Sequence, residues 1–155
     1  VAEFLIVQGA GAVVCAGAIM TSGLIADQIG RRRTLILSGL MIGLFSMSSI
    51  IAPLLFGDSL AGQTVYVIIG FGLLGLSYGQ TAGAVASSFG REYRYTGAAL
   101  TSDLAWLIGA GFAPLVALTL SSRLGLAWVG LYLLSGAICT LVALWFDRRL
   151  EARYG

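Results

Sequence analysis

Residues 4–26 read FLIVQGAGAVVCAGAIMTSGLIA, twenty-three positions without a charge. At about 1.5 Å of rise per residue, a helix of that length crosses the ~30 Å hydrocarbon core of a bilayer. Four more runs of similar length and character follow, at 34–56, 63–86, 96–120 and 126–146. None alternates apolar with polar residues in ~10-residue segments, as barrel strands do. The composition agrees with spanning helices. Hydrophobic residues make up 58% of the 155-residue chain and charged residues 10%, against about 25% charged in soluble domains. So few charges cannot cover a water-facing surface. The expected fold class is therefore an all-α membrane protein with about five transmembrane helices.

The connectors between the runs are short, at 27–33, 57–62, 87–95 and 121–125, so neighbouring helices should run antiparallel. All nine basic residues are arginines. Arg31, Arg32 and Arg33 lie in the first connector, Arg91 and Arg94 in the third, and Arg148, Arg149 and Arg153 in the tail 147–155. These three segments share one side of the membrane, and only Arg123 falls on the other. Eight against one is a strong positive-inside signal, and it places these connectors and the C-terminus in the cytoplasm. Val1 opens straight into apolar sequence with no Met before it. That opening and the odd number of spans lead us to expect a missing upstream part.

Several functions find no support in these residues. The chain has no His, no phosphate-binding loop and no paired acids, so neither a metal site nor a catalytic constellation is expected, and the protein is read as a non-enzyme without cofactor. Cys15 and Cys139 sit inside apolar runs and read as small buried filler. The segment Gly70-Phe71-Gly72-Leu73-Leu74-Gly75 matches a dinucleotide fingerprint, but that motif needs a preceding strand and a solvent-facing helix start, whereas here it falls mid-span. With a net charge of only +2, nothing points to nucleic acid.

Glycine supplies the packing signal. Gly39 and Gly43 form one small-xxx-small pair, and Gly72, Gly75, Gly79 and Gly83 form a longer series in the third run. Small residues at that spacing let helix backbones approach closely in lipid. Tyr66, Gly70, Leu73, Ser77, Gln80 and Ala84 form a second stripe, roughly opposite the glycine face. Its polar members would either line a cavity or bond neighbouring helices, and the spacing leaves both open.

The segment Gly23-Leu24-Ile25-Ala26-Asp27-Gln28-Ile29-Gly30-Arg31-Arg32-Arg33 resembles the G-x-x-x-D-x-x-G-R-[RK] loop of the major facilitator superfamily. Gly23 would permit close helix approach, Gly30 a tight turn, and Asp27 an electrostatic helix cap. The arginines would pair with carboxylates or lipid phosphate. A second stretch, Phe89-Gly90-Arg91-Glu92-Tyr93-Arg94-Tyr95-Thr96-Gly97-Ala98, is similar to the connector before the eleventh helix in the metabolite–proton symporter branch. Gly109, Gly111, Phe112, Ala113, Pro114 and Leu115 resemble that branch's Gly-rich, Phe-x-Pro stretch. Three positions depart from its pattern. Ser87 stands where Glu is usual, with Glu92 as a possible substitute, Gly90 replaces Pro, and Gln80 follows Tyr78-Gly79 where Pro is common.

The resemblance spans essentially the whole chain and implies the eighth to twelfth helices of a twelve-helix fold, part of a C-terminal half. It further implies a multi-pass transporter of the bacterial inner membrane, moving a small metabolite (an organic acid or zwitterion) by proton symport with alternating access. Its partners would be the substrate, protons, the lipid bilayer and the N-terminal half of the same transporter. The first, third and fourth spans would face the cavity, and the second and fifth would be peripheral. Gly23, Asp27, Gly30, Arg31, Arg32 and Arg94 would form the cytoplasmic gate loop. A stand-alone membrane scaffold, associating through its glycine faces, is the alternative.

Asp103 is the acid well inside a span. A carboxylate at that depth is costly and usually faces a cavity or a partner. It shares a helix face with Ala99, Trp106 and Ala110. It would either sit on the transport path, taking a proton or a substrate cation, or make a structural bond, for instance to Arg94. The expected path residues are Asp103, Trp106, Gln80, Ser77 and Tyr66. Gly109, Gly111 and Pro114 should either bend the fourth span for packing or leave a flexible, partly unwound stretch near the binding site.

Overall fold

The computed structural model describes residues 2–56 and 59–146. The charged tail and Asp58 lie outside them. Among the described residues every regular element is helical: α1 (Ala2–Ile29), α2 (Arg31–Phe56), α3 (Leu60–Ser87), α4 (Arg94–Ala105), α5 (Gly111–Leu124) and α6 (Leu126–Phe146). A π-helical turn at Trp106–Ala110 joins α4 to α5, making one continuous 31-residue span from Arg94 to Leu124. Five helices are thus long and apolar enough to cross a membrane. The protein is an all-α membrane protein, consistent with the part of a twelve-helix fold that the sequence resemblance implies.

The helices run past the apolar stretches that mark them in the sequence. Asp27, Gln28 and all three arginines of the first connector are helical, which leaves Gly30 as the whole turn. Gly30 has φ 87°, a left-handed conformation that only glycine adopts at little cost. Its N–H donates to Ala26 O at 2.9 Å, closing α1, and its carbonyl accepts from Thr34 N at 3.1 Å, opening α2. Gly125, at φ 93°, does the same between α5 and α6, with its N–H on Leu120 O and its carbonyl accepting from Trp128 N.

Helix pairing follows the small residues. α1 packs along α3, α2 packs on both α3 and α6, and α1 and α2 touch each other much less. Gly75 lies against the Cys15 carbonyl and Ala18, Gly79 against Ile19 and Ser22, and Gly72 against Val14. On the other seam, Gly39 faces Leu141, Gly43 faces Leu134 and Ala137, and Gly130 sits on Ser46 and Ser49. The dinucleotide-like segment is thus helix interior, with Gly70 under the Phe45 ring.

The interior inverts the rule of water-soluble proteins. Its buried polar residues are Ser22, Thr34, Ser38, Ser46 and Gln80, beside Ala26, Leu35, Ala137 and Leu144. Long apolar side chains such as Leu5, Val13, Met20, Leu44 and Phe146 point outward. With lipid as solvent, apolar burial gains little, and close contact between small groups holds the helices. The buried hydroxyls satisfy themselves locally: Ser46 donates to Ile42 O at 2.7 Å, Ser38 to Leu35 O at 3.1 Å and Thr34 to Gly30 O at 3.0 Å.

The π turn has a local cause. Pro114, inside α5, has no N–H, and its ring presses on the carbonyl four residues earlier, at Ala110. The chain widens there, and Gly111 N–H bonds to Trp106 O, five residues back. We expect Pro114→Ala to restore regular α-helix through 106–110. Slower amide exchange at Gly111–Leu115 would show this, and unchanged exchange would mean that the glycines alone set the bulge.

Candidate functional site

Two regions contain the residues singled out by sequence. The first is the arginine-rich end, where α1, α3 and α6 finish and α2 and α4 start. Successive residues on a helix point about 100° apart, so the three arginines diverge. Arg31 reaches α3, its guanidinium lying on Gly83. Arg32 reaches α6, where Nη2 donates to Leu144 O at 3.0 Å. Arg33 stays exposed. Arginines at a helix start oppose that helix's own dipole, but these two lie near the C-terminal ends of other helices, whose partial negative charge favours them.

Gly23 is half-buried with open space at its Cα, and Asp27 is exposed in the last turn of α1. Arg94, half-buried at the start of α4, has a buried Nε with no hydrogen-bond partner among the described residues. Gly30, Arg31 and Arg32 are therefore brought together with α3 and α6. No bond among the described residues draws Asp27 or Arg94 into that group.

The second region is the middle of α3 and the span α4–α5. The polar stripe of α3 faces its neighbours. Gln80, 4% exposed, donates from Nε2 to Ser22 Oγ on α1 at 2.8 Å. Tyr66 donates to Phe45 O on α2 at 3.1 Å, lies 3.4 Å from Ser48 Oγ and stacks on Phe45 with centroids 4.3 Å apart. Ala84 packs on Leu35 and Leu144. Gln80 and Tyr66 thus each bond a neighbouring helix. Ser77 is half-buried between them.

Asp103 and Trp106 lie elsewhere. Asp103 is exposed on α4, nine residues past Arg94, and no bond joins the two. Trp106 begins the π turn one helical turn further on. It meets Tyr78 of α3 edge to face, with centroids 6.4 Å apart and planes at 77°. Tyr78 belongs to neither stripe in the sequence, because it lies between the polar stripe and the glycine face. Its signal would have been depth. It stands nine residues before the end of α3 at Ser87, as Asp103 stands nine after the start of α4.

Known proteins resemble the chain over most of its length. A Haemophilus influenzae protein named for metabolite transport is 38% identical over 138 residues, covering 88% of this chain and 30% of that protein. The Escherichia coli inner membrane metabolite transport protein YhjE is 35% identical, covering 81% of this chain and 28% of its own length. The chain belongs to the major facilitator superfamily. The Escherichia coli shikimate transporter is a more distant relative of this facilitator chain, at 30% identity over 122 residues, covering 74% of this chain and 26% of its own length. The facilitator segment thus spans less than a third of the length of these relatives. No family model matches it, and no solved structure matches at a significant level.

Proposed function

We propose that this chain forms part of the C-terminal half of a secondary transporter that moves a small metabolite, an organic acid or a zwitterion, across the inner membrane by proton symport. The second helical half, outside this sequence, would supply the other wall of the path, and the two would rock to give alternating access. The arginine-rich end would be cytoplasmic, with Gly23, Asp27, Gly30, Arg31, Arg32 and Arg94 as its gate loop. Relatives named for metabolite and shikimate transport support the class of function.

The observation that carries the proton part is Asp103. It is an exposed carboxylate roughly 13 Å along the helix from Arg94, in a span with no other acid. A carboxylate facing a path at that depth would bind a proton when open to the acidic side and release it on the other, so that the proton crosses with the substrate. Trp106 lies on the same face, and Ser77 remains a candidate on α3. Gln80 and Tyr66, tied into seams, would serve by holding α3 against α1 and α2.

Asp103→Asn cannot exchange that proton. In vesicles of cells expressing the protein, we expect substrate uptake to lose its acceleration by an inward proton gradient while counterflow of labelled substrate persists. Gradient-driven uptake equal to that of the unaltered protein would remove Asp103 from the coupling.

A further inference from the structure

We infer that Asp103, Trp106 and Tyr78 form a binding site for an organic ammonium cation, the positive head of a cationic or zwitterionic solute. The inference rests on the reading that this face of α4 lines the path. It narrows the organic acid or zwitterion of that reading to solutes that carry an ammonium head.

Four observations carry it. Asp103 and Trp106 are three residues apart on one helix and therefore share a face. Tyr78 comes from a second helix, and its ring stands at 77° to that of Trp106, so the two rings form the walls of a corner. Within this segment Tyr78 is 54% and Trp106 58% exposed, so no described helix covers these ring faces, in contrast to the Phe45–Tyr66 pair stacked in a seam. Finally, the arginines of this span are at its ends, Arg94 at the start of α4 and Arg123 in the last turn of α5, so neither neutralises the carboxylate.

The chemistry selects the ligand. A lone carboxylate in a low-dielectric span attracts any cation strongly. Metal ions need several hard ligands, and no group of three or more candidate metal ligands exists among the described residues. Aromatic faces instead favour large, weakly hydrated ammonium groups, with Trp the best of them. A span of 31 residues is about 46 Å long against a ~30 Å core, so a centred span puts Asp103 roughly 5 Å inside the hydrocarbon, below the level of the headgroup charges. Protonation alone would satisfy Asp103 without needing the two rings.

The test uses Trp106 as its own reporter. Trp128→Phe and Trp145→Phe leave it as the sole tryptophan of these 155 residues, and any tryptophan elsewhere in the full-length protein is replaced by Phe in the same background. The protein in liposomes is titrated with tetramethylammonium chloride, and with sodium chloride at equal ionic strength. We expect a saturable change in Trp106 emission with tetramethylammonium alone. Binding should be weaker by at least about tenfold in Asp103→Asn and by several-fold in Tyr78→Leu, and retained in Asp103→Glu. An equal response to sodium, or undiminished binding in Asp103→Asn, would overturn the inference. The uptake assay separates the two readings. Loss of proton-gradient response without ammonium binding sinks only this one, whereas ammonium binding with normal gradient response supports it and sinks proton coupling at Asp103.

Discussion

Gly75→Leu should abolish the yield of folded protein, and Gly75→Ala should lower its melting temperature in detergent while Gly9→Ala does not. Replacing glycine by alanine inside a helix ordinarily stabilises it by roughly 0.5–1 kcal/mol. At Gly9 a methyl group meets nothing within 4 Å, so that gain is free to appear. At Gly75 the same methyl would stand 2.5 Å from the Cys15 carbonyl oxygen and 2.8 Å from Ala18 Cβ. One of these is backbone and neither can rotate away, so α1 and α3 must separate. Overpacking of this kind costs about 1–3 kcal/mol, enough to reverse the sign. Leucine would hold the helices apart along the seam that ties α1 to the rest of the bundle. An equal melting temperature for Gly75→Ala and Gly9→Ala would show that the two helices are not in contact there.

A second large effect is expected at Arg32. Its bond satisfies the Leu144 carbonyl in the last described turn of α6. It also places a cation at the negative end of that helix. Arg32→Met keeps the stem and removes the head. Hydrogen bonds to charged groups contribute about 1.5–3 kcal/mol, and exposure of this end lowers the figure toward its smaller limit. The α2–α6 pair should therefore open first at its arginine-rich end, seen as faster amide exchange in the final turn of α6 and a lower melting temperature. Arg33→Met, at an exposed position, should change neither. Matching behaviour of the two variants would reduce the arginine run to a topology signal.

The five helices and both glycine seams were legible because length, charge and small-residue spacing are one-dimensional properties. Charge and polarity mark 27–33 as a connector, yet it is helix on both sides of Gly30. Asp, Gln and Arg are acceptable helix formers, and polarity marks the edge of lipid rather than the end of a helix. The surroundings of Gln80 and Tyr66 were not legible. In water an amphipathic stripe says which side faces solvent. In lipid the outer and inner faces are both apolar, so a polar residue points toward a neighbour or toward a cavity with no periodic signal to separate them. Arg31 and Arg32 were legible as an end but not as contacts, since their partners, Gly83 and the Leu144 carbonyl, lie 52 and 112 residues away in the chain. An irregularity near Gly109, Gly111 and Pro114 could be foreseen, but its form as a π-helical turn over Trp106–Ala110 could not.

The one-residue turn at Gly30 has a mechanical consequence. A linker of several residues would let two rods translate past one another, whereas a single glycine supplies one pair of soft torsions. α1 and α2 can therefore change the angle between them but cannot slide, and the vertex stays fixed at the end where Arg31 and Arg32 anchor α2 to its neighbours. Any tilt of α1 is then converted into displacement that grows with distance from Gly30. The far ends of the two helices sweep the widest arc while the vertex hardly moves, so this hairpin is built as a compass whose pivot lies at one face of the membrane.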